Sequence, residues 1–353
     1  MHKKNWKFFL ACGLIVLTLF FGVSLKINAQ TASSLWTVET DNIVRSGSVI
    51  DDDGVVYFGD NQGIFYAVNG DGSIEWEVDL GGEIKTKPVL DEDAIYVTSN
   101  NGRINAVDYS GEIMWSHTVR EGILMGDPLI TEDRVYAGSD YRITALTKDG
   151  SEEWSFDVGN YNFIRNEIDV DSEGQVYVAG NDGILYALDD QGEELWQEEI
   201  DSGSYLNGVR ISEEGMIYTG SDDGVFKAVD KEGETQWTFN IPSKIMMTRP
   251  LINEERVYFG TSERIYCLDD EGNEVWNYKF EDKKYIRTEL AAGNEGEIYF
   301  GSSAGELISL SDGENKTVDY EVDSKINSTP LISEDGSIIY FGTENGNFYA
   351  IEK

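Results

Sequence analysis

Short runs of apolar and β-branched residues alternate with clusters of glycine, aspartate and asparagine along this chain. One unit contains the runs 167–170, 175–179, 184–188 and 193–197, separated by Asp-Ser-Glu-Gly, Gly-Asn-Asp-Gly and Asp-Asp-Gln-Gly. Runs of about five residues between turn-forming clusters are typical of antiparallel strands joined by tight hairpins. The pattern therefore predicts four short strands per unit, named inner, second, third and outer, and it leaves no room for helices.

The unit is repeated along the chain with an almost constant period. Successive tyrosines are 39 to 41 residues apart in the series Tyr57, Tyr96, Tyr136, Tyr177, Tyr218, Tyr258, Tyr299 and Tyr340. Successive tryptophans are 39 to 42 residues apart in the series Trp36, Trp76, Trp115, Trp154, Trp196, Trp237 and Trp276. A period near 40 residues with four strands per repeat is the signature of a propeller blade. We therefore predict an all-β fold, an eight-bladed β-propeller of four-stranded antiparallel blades.

Two further positions of the repeat hold small residues. The third strand has a small residue at Ala67, Ala106, Ala145, Ala187, Ala228, Cys267, Ser309 and Ala350. The turn before the outer strand has glycine at Gly72, Gly111, Gly150, Gly192, Gly233, Gly272 and Gly313. Because packed sheets place small groups opposite large ones, we expect the outer-strand tryptophan to lie against the third-strand position. Thr317 replaces the tryptophan in the seventh repeat, so one blade lacks this wedge.

The eighth repeat is incomplete. It begins at Ser328 and ends after its third strand, at residues 349–351, without an outer strand. A matching outer strand with Trp36 lies at residues 34–39, in register with the tryptophan series. We therefore predict that the N-terminal strand completes the last blade, which removes an exposed sheet edge and closes the ring without a covalent bond.

The first 29 residues differ in composition from the repeats. Lys3, Lys4 and Lys7 precede an uncharged, mostly apolar run at 8–25, and Ala29 follows at a small-residue exit. These features are typical of a secretory signal peptide, and the length of the run also suits an uncleaved anchor. We predict a signal peptide or N-terminal anchor at residues 1–29 and a single propeller domain at 30–353. The basic start places the propeller outside the cytoplasm, secreted or at the cell envelope.

The chain is strongly acidic, with 66 acidic and 27 basic side chains and a net charge of −39. Such a surface repels nucleic acid and anionic lipid, so neither is an expected partner. Beyond the N-terminal segment the chain has one cysteine, Cys267, and one histidine, His117, which excludes an intrachain disulfide and leaves few ligands for a soft metal. The acidic turn at 169–174 resembles half of a Ca²⁺ loop but lacks its distant glutamate, and we interpret it as a solvated hairpin without a metal.

A motif shared by the repeats resembles that of a known superfamily. Residues 187–196 read Ala-Leu-Asp-Asp-Gln-Gly-Glu-Glu-Leu-Trp, which fits Ala-x-Asp-x-x-Gly-x-x-x-Trp. This motif resembles the repeat of the pyrroloquinoline quinone (PQQ) propellers, and the resemblance covers residues 34–353. The superfamily includes quinoprotein dehydrogenases and, without a quinone, the propeller lipoprotein of the outer-membrane assembly machinery. The motif is one residue shorter here than in the dehydrogenases, and the chain has neither an adjacent cysteine pair nor Cys-x-x-Cys-His. It is therefore similar to the non-enzymatic branch.

The resemblance implies a non-catalytic propeller that binds or scaffolds other components at the cell envelope. It leaves one alternative, a PQQ-dependent oxidoreductase with a degenerate motif, which would require PQQ and Ca²⁺. The favoured interpretation requires no cofactor. The expected partner is an envelope protein or a cell-wall component, any membrane attachment is expected through the N-terminal segment alone, and the propeller is expected to be a monomer.

Basic residues are concentrated on the inner strands of this acidic chain. They are Arg45, Lys85, Lys87, Arg165, Arg249 and Arg287. The alternation of side chains along a strand places them toward the neighbouring blade and the central axis. Two interpretations are open. In one, the cations form ion pairs with Asp127, Glu167 and Glu289 that tie blades together, and in the other they form a positive floor that binds an anionic ligand.

Aromatic residues are expected on the rim at the same end of the propeller. The loops that lead from outer to inner strands carry Tyr161, Phe163 and Tyr205. Exposed aromatic rings suit a sugar ring or a peptide, and loop packing explains them equally well. Alignment of the repeats also places Tyr205 in an apolar ring before the inner strands, with Val44, Ile84, Leu124, Ile164, Met246, Ile286 and Ile326. We therefore place the candidate ligand site at the axial mouth where these loops emerge.

The net charge predicts a dependence of stability on salt. Self-repulsion among the carboxylates destabilises the compact state, and salt shortens the Debye length from about 10 Å at 0.1 M to about 3 Å at 1 M. We expect the melting temperature, measured by circular dichroism, to rise as NaCl increases from tens of millimolar to about 1 M. A flat or falling melting temperature would show that repulsion does not limit stability, and a much larger effect of Ca²⁺ at equal ionic strength would reveal specific metal sites.

Overall fold

The computed structural model describes residues 33–119, 126–139, 142–158, 168–241, 248–280, 285–286, 288–313 and 315–353. The strands in these ranges form eight four-stranded antiparallel sheets arranged as an eight-bladed β-propeller, as the tyrosine and tryptophan series predict. The predicted signal peptide or anchor at 1–29 lies outside the described residues. Within the described ranges, no helix has the length and apolar character needed to cross a membrane.

The first four complete blades follow a short N-terminal strand, β1 (Ser33–Glu39), which belongs to blade 8. Blade 1 contains β2 (Val49–Ile50), β3 (Val56–Gly59), β4 (Ile64–Val68) and β5 (Ile74–Asp79). Blade 2 contains β6 (Val89–Leu90), β7 (Ile95–Ser99), β8 (Arg103–Val107) and β9 (Ile113–Thr118). Blade 3 contains β10 (Leu129–Ile130), β11 (Arg134–Gly138), β12 (Arg142–Thr147) and β13 (Glu152–Asp157). Blade 4 contains β14 (Ile168–Val170), β15 (Val176–Ala179), β16 (Ile184–Leu188) and β17 (Glu194–Glu199).

The remaining blades repeat the same order of strands. Blade 5 contains β18 (Leu206–Ile211), β19 (Ile217–Ser221), β20 (Val225–Val229) and β21 (Thr235–Asn240). Blade 6 contains β22 (Leu251–Asn253), β23 (Arg256–Gly260), β24 (Arg264–Leu268) and β25 (Glu274–Lys279). Blade 7 contains β26 (Ala291–Ala292), β27 (Ile298–Gly301), β28 (Glu306–Leu310) and β29 (Lys316–Glu321). Blade 8 consists of β30 (Leu331–Ile332), β31 (Ile338–Gly342), β32 (Asn347–Glu352) and, as its outer strand, β1.

The N-terminal strand closes the ring as predicted. Strand β1 pairs antiparallel with β32 from Ser33 opposite Glu352 to Glu39 opposite Asn347, and Trp36 lies opposite Ala350. The same pairing of tryptophan with the small third-strand residue occurs inside the other blades, for example between Trp76 and Ala67. Closure therefore gives blade 8 the same internal packing as a blade made of consecutive strands.

Each outer-strand tryptophan also packs on the next blade, where it contacts the glycine that precedes the outer strand of that blade. Trp36 of blade 8 covers Gly72 of blade 1, where an added Cβ would lie 2.7 Å from the indole. The same contact recurs in the pairs Trp76–Gly111, Trp115–Gly150, Trp154–Gly192, Trp196–Gly233, Trp237–Gly272 and Trp276–Gly313. Six of these indole N–H groups donate to a backbone carbonyl of the contacted turn, with N···O distances of 2.7–3.1 Å. Position 72 therefore requires glycine for two reasons: a side chain would clash with the indole of Trp36, and the backbone φ of +87° lies in the region that favours glycine.

A second contact between blades lies near the axis and runs in the opposite direction. The apolar residue before an inner strand packs on the glycine that ends the second strand of the preceding blade, in the pairs Gly59–Ile84, Gly260–Ile286, Gly301–Ile326 and Gly342–Val44. The small polar residue two positions later accepts a hydrogen bond from the N–H of the second-strand glycine in its own blade, as Ser46 does from Gly59 at 2.8 Å. Thr248, Thr288 and Ser328 make the same bond. These hydroxyls extend inner strands that otherwise have two or three paired residues.

The junction of blades 7 and 8 has Thr317 in the tryptophan position, where it lies opposite Ser309. Lys353, directly after β32, forms an ion pair with Glu297 of blade 7, and its Nζ lies 5.3 Å from the centre of the Tyr299 ring. The Tyr299 hydroxyl donates to Glu297 Oε1 at 3.0 Å. A charged contact among these three side chains therefore links the two blades where the tryptophan is missing.

Closure of the ring by β1 predicts that the unfolding free energy depends strongly on Trp36. Trp36→Ala removes the packing on Gly72 and Ala350 and the indole bond to the Gly70 carbonyl. We expect a loss of about 3 kcal/mol in unfolding free energy, measured by urea denaturation. The matched control is Leu35→Ala on the same strand, where the side chain is 46% exposed and the expected change is within about 0.5 kcal/mol. Equal effects of the two substitutions, or an unchanged melting temperature after deletion of residues 30–40, would contradict closure by β1.

The contact at Glu297 predicts a dependence of stability on pH. Burial disfavours the carboxylate, but the bonds from Lys353, the backbone and Tyr299 outweigh it and lower the pKa of Glu297 from 4.5 to about 2. The stabilisation is therefore present above pH 4.5 and is lost as pH falls toward 2. We expect Glu297→Gln to lower the unfolding free energy by about 2 kcal/mol at pH 7 and by less at pH 3, measured by urea denaturation. Glu295→Gln, on the exposed part of the same hairpin, is the control. An identical pH dependence in both variants would exclude this role for Glu297.

Candidate functional site

The inner strands surround an axial cavity of about 520 Å³. Its wall comes from the inner strands and the segments before them in blades 1, 2, 3, 5, 6, 7 and 8. Proline is tolerated directly before these strands because their axial edge pairs with no other strand of the sheet, and Pro250 and Pro330 both line the cavity. The cavity therefore lies where the sequence places the candidate ligand site.

Four of the six predicted cations lie together on the cavity wall: Arg45, Lys85, Lys87 and Arg249. They come from blades 1, 2 and 6, and all four lie in the segments that lead into the inner strands. Arg165 and Arg287 lie outside the described residues. Two carboxylates, Asp127 and Glu289, share the same wall.

Ion pairs engage several of these cations. Arg249 Nη2 lies 3.3 Å from Asp127 Oδ2, and because these residues belong to blades 6 and 3, the pair crosses the cavity. Lys85 Nζ lies 2.5 Å from Glu83 Oε2, and Arg45 Nη2 lies 3.9 Å from Glu344 Oε1. The pairing interpretation is therefore correct for Arg249 and Asp127, while the partners of Lys85 and Arg45 are different from those expected. Glu167 lies outside the described residues.

The carboxylates of the wall also bind the backbone of the preceding blade. Asp127 Oδ1 accepts the N–H of Lys87 at 2.6 Å, and Glu289 Oε2 accepts the N–H of Arg249 at 2.8 Å. Each donor and acceptor are 40 residues apart, one blade in the repeat. At the same repeat position in blade 1, Gly47 leaves room for Lys87, because an added Cβ would lie 2.9 Å from the Lys87 Cβ. These two side-chain-to-backbone bonds join blade 2 to blade 3 and blade 6 to blade 7 at the cavity wall.

Sequence reasoning missed a fifth cation of the cavity, Arg210 on β18. Its guanidinium lies 3.9 Å from Asp169 Oδ2, which also accepts the N–H of Ile211 at 2.9 Å. Burial raises the pKa of Asp169 above its usual range, although Arg210 and the N–H groups of Ile211 and Val170 oppose the shift. The alignment of the repeats already contained the signal for this ion pair. Asp169 and Arg210 occupy, in adjacent blades, a position that is apolar elsewhere, at Val49, Val89, Leu129, Leu251, Ala291 and Leu331.

One side of the cavity is apolar below the cations. Its wall there is formed by the inner strands of blades 6, 7 and 8, through Leu251, Ala291, Ala292, Leu331 and Ile332. On the adjacent blade 5, Arg210 occupies the same repeat position as Leu251, Ala291 and Leu331. The described cavity therefore combines basic groups at the mouth with an aliphatic surface farther in.

Among the predicted rim aromatics, Tyr205 is 49% exposed, as a rim residue should be. Its predicted place in the apolar ring is wrong, because Leu206 next to it is fully buried in blade 5, as Val44 and Ile84 are at the ring position of blades 1 and 2. The reason is an irregular register between Leu206 and Val209 in β18, where Gly208 adopts a φ of +80°. Tyr161 and Phe163 lie outside the described residues.

The acidic hairpins and the cysteine have structural contacts. Asp171 accepts the N–H groups of Glu173 and Gln175 through one oxygen, and the other lies 3.2 Å from the Tyr177 hydroxyl and 3.1 Å from Lys231 Nζ. Cys267 is buried, and burial raises the pKa of its thiol to about 11. Across the part of the chain that the structure describes, no group of three or more acidic, histidine or cysteine side chains is placed to hold a metal.

Comparisons with known proteins agree with the fold. The family model described as outer membrane protein assembly factor BamB matches residues 23–181, 88–211 and 182–353. The crystal structure of BamB from Moraxella catarrhalis has a TM-score of 0.74 at 16% identity and covers 91% of this chain and 100% of that one. The crystal structure of the computationally designed Ika8 protein has a TM-score of 0.76 at 13% identity and covers 91% of this chain and 99% of that one. None of the curated proteins matches the chain. At these identities the two structures show a shared fold, whereas the family model matches most of the sequence.

Proposed function

This chain belongs to the family described as outer membrane protein assembly factor BamB, and on that premise we propose that it is a non-catalytic binding or scaffolding module of the cell envelope. The family match is the observation that carries the proposal. The partner we propose is an envelope protein or a cell-wall component, and the location is extracytoplasmic, directed by the signal peptide or anchor at 1–29.

The frame of the propeller supports a scaffolding role. Contacts between blades at two radii and the pairing of β1 with β32 hold eight sheets in one closed ring. Loops from all blades project from such a frame, and loops on a rigid scaffold are the usual place for recognition. The net charge of −39 favours partners with basic surfaces and disfavours anionic lipid.

A quinone fits the described cavity poorly. The basic groups could hold its carboxylates, but the described wall offers aliphatic and charged side chains and no planar aromatic or cysteine face for the ring. The described cysteine, Cys267, lies on a third strand opposite Trp276, away from the inner strands. The alternative of a PQQ-dependent oxidoreductase therefore receives no support from these residues.

Site-specific photo-crosslinking in the source organism tests the proposed function. Crosslinkers are placed one at a time at Tyr205 on the mouth, Glu92 on the opposite hairpins and Glu75 on the outer circumference, all exposed positions. We expect crosslinks to a small set of envelope proteins or to cell-wall material from one of these surfaces, with the other two as internal controls.

Two outcomes would contradict the proposal. One is the absence of crosslinks at all three positions, or crosslinks to cytoplasmic proteins alone. The other is a shift in quinone absorbance when the purified propeller is mixed with PQQ and Ca²⁺, accompanied by dye-linked oxidation of alcohols or sugars. The second result would establish the oxidoreductase.

A further inference from the structure

The axial cavity carries an excess of positive charge within a strongly negative molecule. Its described wall contains five basic side chains and two carboxylates, whereas the whole chain has a net charge of −39. Both carboxylates already accept backbone N–H groups, and Asp127 also pairs with Arg249. The described wall therefore carries three more basic than acidic side chains, and the carboxylates that pair with Arg45, Lys85 and Arg210 are not part of it.

The basic groups at the mouth are positioned for an anion. Lys85 and Arg249 are largely withdrawn from solvent, with 26% and 19% of their side chains exposed. Glu83 and Glu344, which pair with Lys85 and Arg45, stand outside the cavity wall and are themselves partly exposed. Partial burial lowers the local dielectric and strengthens attraction for an anion, which would share these cations with the outer carboxylates.

The aliphatic wall adds a second requirement. Leu251, Ala291 and Leu331 line the cavity two residues farther along the inner strands than the repeat position of Lys87 and Arg249. Each is half-buried, because its side chain also packs against the apolar cluster between blades. Covering such a surface with an apolar group contributes roughly 0.8 kcal/mol per buried CH₂. A bare inorganic anion would leave this wall in contact with water, so the two walls together select a ligand with both an acidic and an apolar part.

We propose that the axial cavity binds a small amphiphile with an acidic head group and a short apolar body. The head group, a carboxylate or a phosphate monoester, contacts Lys85, Lys87 and Arg45 at the mouth. The apolar body lies along the inner strands of blades 6 to 8. A volume of about 520 Å³ suits one such molecule. This site is additional to the proposed envelope role and does not depend on it.

Equilibrium dialysis with radiolabelled octanoate tests the site on the purified chain. At 0.15 M salt, where the Debye length is about 8 Å, the acidic exterior is screened. We expect saturable binding of one octanoate per chain. Unlabelled octyl phosphate should displace it if the site accepts both head groups, and failure of octyl phosphate would restrict the site to carboxylates. Acetate and octylammonium should compete at least tenfold more weakly, because each lacks one of the two required parts.

Substitutions in the cavity distinguish a loss of ligand binding from a loss of stability. Lys85→Gln with Lys87→Gln removes two mouth cations, while the Lys87 N–H that Asp127 accepts remains. Ala291→Leu fills the apolar part with a residue that Leu129, Leu251 and Leu331 already provide at this repeat position. The control, Lys227→Gln with Lys316→Gln, removes the same charge at positions away from the cavity.

We expect each cavity variant to weaken octanoate binding at least tenfold with a melting temperature close to that of the parent, and the control to leave the affinity unchanged. Weakening of octanoate, but not of octyl phosphate, by Ala291→Leu would also contradict the model, since both tails occupy one wall. Absence of saturable octanoate binding, or equal affinity in the parent and both cavity variants, would overturn the proposal. Crosslinking to envelope partners is measured separately, so failure here leaves the envelope role intact.

Discussion

The fold depends on one repeated contact, a large side chain of one blade packed on a glycine of an adjacent blade. Trp36 on Gly72 is the example at the outer radius, and Ile84 on Gly59 is the example near the axis. No strand of one blade pairs with a strand of its neighbour in the eight described sheets, so side-chain packing holds the ring: these contacts, the buried apolar clusters between facing blades and a few polar bonds. Because they run in opposite directions at two radii, they fix both the spacing and the tilt of adjacent blades.

The packing of tryptophans between blades also explains why the outer strands are irregular. Each outer strand that carries a tryptophan has an extra residue beside it, such as Leu35 before Trp36 or Met114 before Trp115, where the register shifts. Such bulges disrupt strand addition at an edge, and here they also orient the indole toward the next blade. Where Thr317 replaces the tryptophan, the register shift moves to Leu307 and Ile308, and Lys353 with Glu297 supplies the contact between blades.

Closing eight blades around an axis also creates the candidate site. The inner strands converge, so that residues separated by 122 positions in the chain, Asp127 and Arg249, meet across the cavity. Small residues such as Gly47 and Ala291 leave the space, and the bonds of Asp127 and Glu289 to neighbouring backbones keep the wall in place. Because tryptophan contacts on the outer strands close the ring, the propeller can hold several charged side chains at its axis without depending on them for closure.

The sequence by itself determined the repeat, because strand alternation, turns and the tryptophan spacing are local and recur every 40 residues or so. It therefore predicted eight blades, the pairing of β1 with β32 and the gathering of Arg45, Lys85, Lys87 and Arg249 at the axis. Tertiary structure alone decided which tryptophan contacts which glycine, that Arg249 reaches Asp127 across the axis, and that Leu206 rather than Tyr205 is buried. These outcomes depend on the radius of the closed ring and on one irregular strand, which no local period encodes.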